Sequence, residues 1–332
     1  MSVDTATRTR PRGSGLLASP PPNVGVEVAS SHVTVLAVSD SGRQATIAGY
    51  AVEPLAAGVV TAALNAPNVT DEASLAAAIR SAVQNVASRT RRVGLVLPDT
   101  VAKVSLIRFE KVPAKVQDLD QLIRWQVRKT APFRVEDAQL SWVPGVSLEG
   151  GGREFIVSMA RRDVIRSFER ACDAAGLHAG VIDIASFSLI NAQLSASGMS
   201  AGDWLLVHVA SDYVTLAVVR GSVLVFFRNR TLGVETDLTD MVHQTAMYHE
   251  DRLGGGGFSR VVLSGASLAG SEQAERLRRA IEERLGSRVE RLDIRAAAPM
   301  TDRISVNAAL LDTLAAPAGM LLRDRPGKGQ VA

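Results

Sequence analysis

The 332-residue chain is 46% hydrophobic and 21% charged, with 4% aromatics and a formal net charge of +3, a soluble globular composition in a chain too long for one compact core. Residues 1–22 and 323–332 each carry +2, so subtracting both from +3 leaves the body near −1; basic tails on a near-neutral body make no nucleic-acid footprint. The longest apolar runs, such as "VLVFF" at 223–227, fall well short of the ~18–20 residues of a membrane span, and the absence of a signal-peptide core leaves a cytoplasmic protein as the expectation.

In chain order, the Pro/Ser/Thr-rich start is expected to be a disordered tail over 1–22. Strands follow at 23–29, 32–39 and 43–52, the last two joined by a turn through "SDSGR". A helix after Thr70, a candidate N-cap, places Leu75, Ile79, Val83 and Val86 on one face. The apolar "RRVGLVLP" at 91–98 reads as a buried, mostly parallel strand. The pattern then changes. A strand (103–110) leads to a helix carrying Val116, Leu119, Leu122, Ile123 and Val127, which stops before Pro132. Strands at 138–147 and 153–160 flank the glycines 150–152, and a helix over 162–175 ends at Gly176. Cys172, the only cysteine, lies on that helix's apolar face and reads as a buried structural thiol. Strand 179–184 and helix 186–197 return the chain to its first unit.

The second half restarts with a hairpin at 207–219 and the strand "SVLVFFRNR". A polar helix (235–252), the glycines 254–257, a strand from 260 and a helix closed by Gly286 follow. A short strand near 288–294 and two helices, about 303–315 and 317–323, complete the chain, with Pro317 expected at N1 of the last. A tail over 324–332 is expected to be disordered. His243 and His249 lie six apart on the polar helix, off the i,i+4 spacing of a metal pair.

The hairpin "VHVASDYVTLAVV" at 207–219 repeats "VEVASSHVTVLAV" at 26–38, matching at Val26/Val207, Val28/Val209, Ala29/Ala210, Ser30/Ser211, Val33/Val214, Thr34/Thr215 and Val38/Val219. Shared downstream order argues for duplication of a βββαβαβα half, the α/β plan of the actin/hexokinase/Hsp70 fold. In that plan the two hairpin turns face a nucleotide's phosphates, and an acid on each first strand serves a hydrated Mg²⁺ or the attacking water. Candidate nucleotide-binding residues are then Glu27, Ser30 and Ser31 in the first copy, and His208, Ser211 and Asp212 in the second. Ser264, Gly265 and Ala266 in "LSGAS" stand where an adenosine turn belongs. As plain turn residues the serines and Asp212 would look the same.

With these segments on view, residues 23–323 resemble the type IV pilus assembly protein PilM family, FtsA-like members of the actin superfamily. The most specific stretch is "LIRWQVRKTAPFRVEDAQLSW" at 122–142, with "VGVEVASSHVTVLAV", "FIVSMARRDVIRSFERACDAAGL" and "VVLSGAS" in matching order. The resemblance implies subdomain 1A at 23–98 and 178–200, an inserted 1C subdomain at 99–177, and domain 2 at 201–302. Helices over 303–323 would pack back onto them. It implies a cytoplasmic scaffold, peripheral to the inner membrane, that binds the N-terminal tail of a PilN-type bitopic protein between 1A and 1C and connects to pilus motor ATPases. Leu122, Trp125, Lys129 and Phe133 are the residues it suggests for that groove, with ATP or ADP and Mg²⁺ in the interdomain cleft. The chain departs from the family where the chemistry would sit. Asp-Ile-Gly hairpins are replaced by Glu27/Ala29 and His208/Ala210, and Gly265 is followed by Ala266. Neutral histidine supplies no charge for Mg²⁺, so weak nucleotide binding or none, without hydrolysis, is expected. An actin-superfamily small-molecule kinase and a GspL- or FtsA-like secretion or division adaptor are the rival readings.

Overall fold

The computed structural model describes residues 21–41, 44–86, 90–233, 237–301, 304–323 and 325. The expected tails, and the turn around Gly42, fall almost wholly outside these residues. Pro22 is already buried.

Strands β1 (Val24–Val28), β2 (His32–Ser41) and β3 (Gln44–Pro54) form an antiparallel meander, followed by helix α1 (Glu72–Asn85) and the parallel strand β4 (Arg92–Leu97). Alternation decides the faces: Val24, Val26 and Val28 turn toward α1, whereas Glu27 on the same strand turns toward the second half of the molecule. Asp71, not Thr70, caps α1, its carboxylate accepting the Ser74 amide. Thr70 instead donates its hydroxyl to the Gly58 carbonyl in the preceding loop.

After a 3₁₀ turn (Asp99–Val101) come β5 (Ala102–Phe109), α2 (Val116–Arg128), β6 (Ala138–Ser147) and β7 (Arg153–Arg161). The three strands pair in the order β5-β7-β6 as a separate sheet. Its own small core sets Ile123 and Val127 of α2 against Phe155, Val157 and Met159 of β7. Helix α3 (Arg162–Ala174) follows but packs against α1, through Val164, Phe168, Ala171 and Cys172, and so belongs to the core of the first half. Cys172 is buried there, and burial pushes its thiol up to about 12. Phe168 is 1% exposed; Phe168→Ala should cost about 3–5 kcal/mol, read as a lower urea midpoint at unchanged slope.

Strand β8 (His178–Ile184) closes the first sheet in the order β3-β2-β1-β4-β8, and α4 (Ala185–Ser197) follows. The second half repeats the plan with β9 (Asp203–Val209), β10 (Tyr213–Arg220), β11 (Val223–Thr231), α5 (Leu238–Leu253), β12 (Arg260–Ser264), α6 (Ser271–Leu285) and β13 (Val289–Arg291). Its sheet order, β11-β10-β9-β12-β13, is that of the first sheet element for element.

The C-terminal segment departs from the sequence expectation. One helix, α7 (Ala308–Leu322), replaces the two predicted, and Pro317 lies inside it rather than at N1. The proline removes one backbone hydrogen bond, but "LAAPAGMLL" is buried between α4 and the first sheet, and that packing holds the helix through the break. A Cβ at Gly319 would stand 1.8 Å from the Ser188 carbonyl oxygen, so only glycine permits the α4–α7 approach. Leu36, Ile47 and Val96 of the first half, Leu206 and Val262 of the second, and Leu314 and Met320 of α7 form one core between the two sheets.

Candidate functional site

The duplicated hairpins superimpose in their bonding as well as in their sequence. Glu27 pairs with Thr34, and His208 with Thr215, at the same register. The turns close identically, Ala29 N–H to the His32 carbonyl and Ala210 N–H to the Tyr213 carbonyl, each at 2.9 Å. Both meanders shift register at the aligned positions Ala37/Val38 and Val218/Val219.

The two turns meet. Ser30 Oγ donates to Asp212 Oδ2 at 2.6 Å, joining the two hairpin turns to each other. Ser31 shares a hydrogen bond with His32, and Ser211 donates to Asp212. The third turn closes on the second hairpin. Gly265 has a φ of +85°, and a Cβ there would stand 2.1 Å from the Val209 carbonyl oxygen, so the turn lies against the end of β9. Ser264 pairs in register with His208, and Ala266 is buried.

The charges are wrong for Mg²⁺ and phosphate. Burial, and secondarily the neighbouring Asp99, push the Glu27 carboxyl up to about 8, so it is protonated at neutral pH. Burial lowers the His208 pKa, which keeps the imidazole neutral, and its Nε2 lies 3.3 Å from the Tyr213 hydroxyl. Neither first strand therefore presents an anion to a hydrated cation, and the Ser30 hydroxyl is already engaged. The residues present do not fit Mg²⁺-nucleotide.

Asp99, a residue the sequence reading passed over, binds the halves together. Its buried carboxyl accepts from the Ser186 amide (2.9 Å) and hydroxyl (3.0 Å) through Oδ1, and from Thr215 Oγ1 (2.6 Å) through Oδ2. Its backbone carbonyl accepts from Asn229 Nδ2 at 3.0 Å. An acid directly after the central strand "VGLVLP" was the available signal, since the carboxyl ends of such strands are where α/β sheets place their sites.

A cavity of about 820 Å³ opens elsewhere, where the edge strand β8 of the first sheet faces the edge strand β6 of the three-stranded sheet. Val143, Ile156, Ile165, Val181, Ile182 and Phe187 give it apolar walls; Arg162, Arg166, Glu169, Asp183 and Arg323 supply charge, and Leu224 of β11 borders it. Strand β7 separates it from α2, with Ile156, Ser158 and Ala160 turned to the cavity and Phe155, Val157 and Met159 to the helix. Leu122, Trp125, Lys129 and Phe133 consequently lie beyond the opposite face of that sheet. Trp125 is 56% exposed, with Lys129 Nζ 3.8 Å from its ring centroid, and Phe133 packs into the insert's own core. Of the two histidines weighed for a metal, His249 is bonded to Asp203 at 2.6 Å. Among the described residues no helix is long and apolar enough to cross a membrane.

A family model described as type IV pilus assembly protein PilM matches residues 25–252. Among solved structures, a PilM–PilN type IV pilus biogenesis complex is similar over 92% of this chain and 99% of that one, at 19% identity and a TM-score of 0.78. The ethanolamine utilization protein EutJ from Carboxydothermus hydrogenoformans matches over 92% and 90%, at 12% identity and a TM-score of 0.49. A Bacteroides thetaiotaomicron protein with an actin-like ATPase fold matches over 83% and 91%, at 10% identity and 0.46. The architecture, two duplicated α/β halves with an inserted three-stranded unit, is the fold of the PilM–PilN structure. Matched by the family model from the first strand to the end of α5, the chain belongs to the type IV pilus assembly protein PilM family.

Proposed function

We propose that this chain is a cytoplasmic adaptor of the type IV pilus inner-membrane complex, holding the N-terminal tail of a PilN-type membrane protein in the cavity between β6 and β8. The observation that carries the reading is the cavity itself, bordered by two open strand edges and walled by apolar side chains. An extended peptide suits such a site, since main-chain pairing to an edge supplies affinity and side-chain pockets supply specificity. The tail would keep the protein peripheral to the inner membrane and within reach of the pilus motor ATPases.

In this reading ATP and ADP have no working role. Turns bonded to each other through Ser30 and Asp212, and a protonated Glu27, favour a cleft that neither grips Mg²⁺-nucleotide nor hydrolyses it. Calorimetry with a synthetic peptide of the PilN-type tail should give saturable binding, while Mg²⁺-ATP should leave the melting temperature where it was. A ligand at a hundred times its Kd would add about 2.7 kcal/mol of stability, a shift no melting curve misses. A folded protein that ignores the peptide, or that phosphorylates a small acceptor at ordinary enzyme rates, overturns the proposal.

A further inference from the structure

We propose that Asp99 is a latch coupling the β6–β8 cavity to the second half of the molecule, so that filling the cavity and closing the two halves are one linked equilibrium. The inference rests on the cavity being the tail site and adds to it a residue that acts through others. The bonds of the latch tie two parts of the cavity wall to each other and to the second half of the molecule. Asp99 stands between Leu97 and Val101, both of which line the cavity. Its partner Ser186 stands between the lining residues Ile184 and Phe187, in the first turn of α4. Its remaining partners, Thr215 on β10 and Asn229 on β11, belong to the second half and line no part of the cavity. Phe187 reinforces the tie, its ring meeting that of Phe227 edge-on at 5.9 Å between centroids.

The carboxyl leaves little freedom to the arrangement. Its Oδ1 takes two donors from Ser186 and its Oδ2 one from Thr215, in a site with no solvent exposure. If the halves part, Thr215 withdraws and Oδ2 loses that donor, at a cost wherever water does not replace it. The relaxation open to Asp99 is to shift its 3₁₀ turn, and with it Val101 and the start of β5 in the cavity wall. A peptide that fits the wall in its latched form must therefore favour closure, and closure must favour the peptide by the same factor. The tie between Ser30 and Asp212 also spans the halves but touches no cavity residue, so it supports closure without reporting on the cavity.

Thr215 gives the cleanest test, because it is remote from the peptide and has two informative replacements. Thr215→Val keeps the shape and deletes the hydroxyl; Thr215→Ser keeps the hydroxyl. Backbone hydrogen exchange would be followed on the full chain with and without the tail peptide, and affinity by calorimetry. Thr215→Val should speed exchange across residues 184–190 and weaken the peptide about fivefold or more, the usual span of coupling between sites. Thr215→Ser should behave as wild type, and peptide binding to wild type should slow exchange in β10 and β11. Wild-type exchange at 184–190 in Thr215→Val, or equal loss in Thr215→Ser, overturns the latch. A wild-type protein that binds no peptide sinks the adaptor reading instead, while the exchange of the peptide-free variants still decides whether Asp99 ties α4 to β10. Should Thr215→Val fold poorly, Asn229→Ala removes the bond to the Asp99 carbonyl from a less buried position and is read in the same way.

Discussion

Val143→Glu should abolish capture of the PilN-type tail without unfolding the protein. Val143 lies on the edge strand β6 and lines the cavity, yet it is 42% exposed when nothing covers it. A glutamate there stays solvated in the free protein, so circular dichroism and the urea midpoint should match wild type. A docked peptide would bury the carboxylate against Ile156 and Val181. Stripping a charge of water against apolar side chains costs several kcal/mol, and about 3 kcal/mol is already more than a hundredfold in Kd. Trp125→Ala is the matched control. It removes a large exposed aromatic that sequence reasoning placed in the groove, but one on the α2 side of the sheet, and its titration should overlay that of wild type. A reversed outcome, with Trp125→Ala silent in calorimetry and Val143→Glu binding normally, would move the docking face to α2.

Helix α2 and the sheet beneath it illustrate what the sequence could and could not convey. The helix carrying Leu122, Trp125 and Lys129 was legible from its apolar spacing, because periodicity is a local property. Which face of the three-stranded sheet the helix covers depends on the alternation of β7, with Phe155, Val157 and Met159 on one side and Ile156, Ser158 and Ala160 on the other. Both sets contain apolar residues, so the pattern alone did not say which side faces the cavity. The duplicated hairpin was legible for the opposite reason. Its seven matched positions carried the register with them, down to the pairs Glu27/Thr34 and His208/Thr215 and the paired shifts near Val38 and Val219.

Elsewhere tertiary contacts overruled local rules. Pro317 is a strong helix breaker, and only the buried seam of α4 against α7, set by Gly319 and Ser188, keeps the helix running through it. Asp99 was harder still to see. Thr215 and Asn229 lie 116 and 130 residues away from it, and nothing in "LPDT" announces partners at such separations. The departures from Asp-Ile-Gly raised the expectation that metal chemistry is lost. The charge states of Glu27 and His208, and the bond between Ser30 and Asp212, supply a physical reason for that expectation.

Glu27→Gln should stabilise the protein at alkaline pH and take a slope out of its stability profile. Burial, with Asp99 as second cause, raises the Glu27 pKa from 4.5 to about 8. Between those values the folded protein holds a proton that the unfolded chain has released, so stability contributed by this group falls as pH rises. Below about 4.5 both states are protonated and the penalty vanishes; above about 8 both are ionised and it is complete. His32 and His208 act in the other direction. Burial lowers both pKa values, so they cost stability as pH falls through the unfolded histidine range near 6.5. The wild-type profile mixes these slopes, and the difference between wild type and Glu27→Gln isolates one of them. Glutamine keeps the length of the side chain without its titration. Urea unfolding should thus show the two proteins alike near pH 4 and the variant ahead by on the order of 2 kcal/mol near pH 9, a figure below the full shift because Glu27 retains some contact with solvent. Equal stability of the pair across that range would mean that Glu27 is ionised in the fold, and would return to the cleft the negative charge that Mg²⁺ requires.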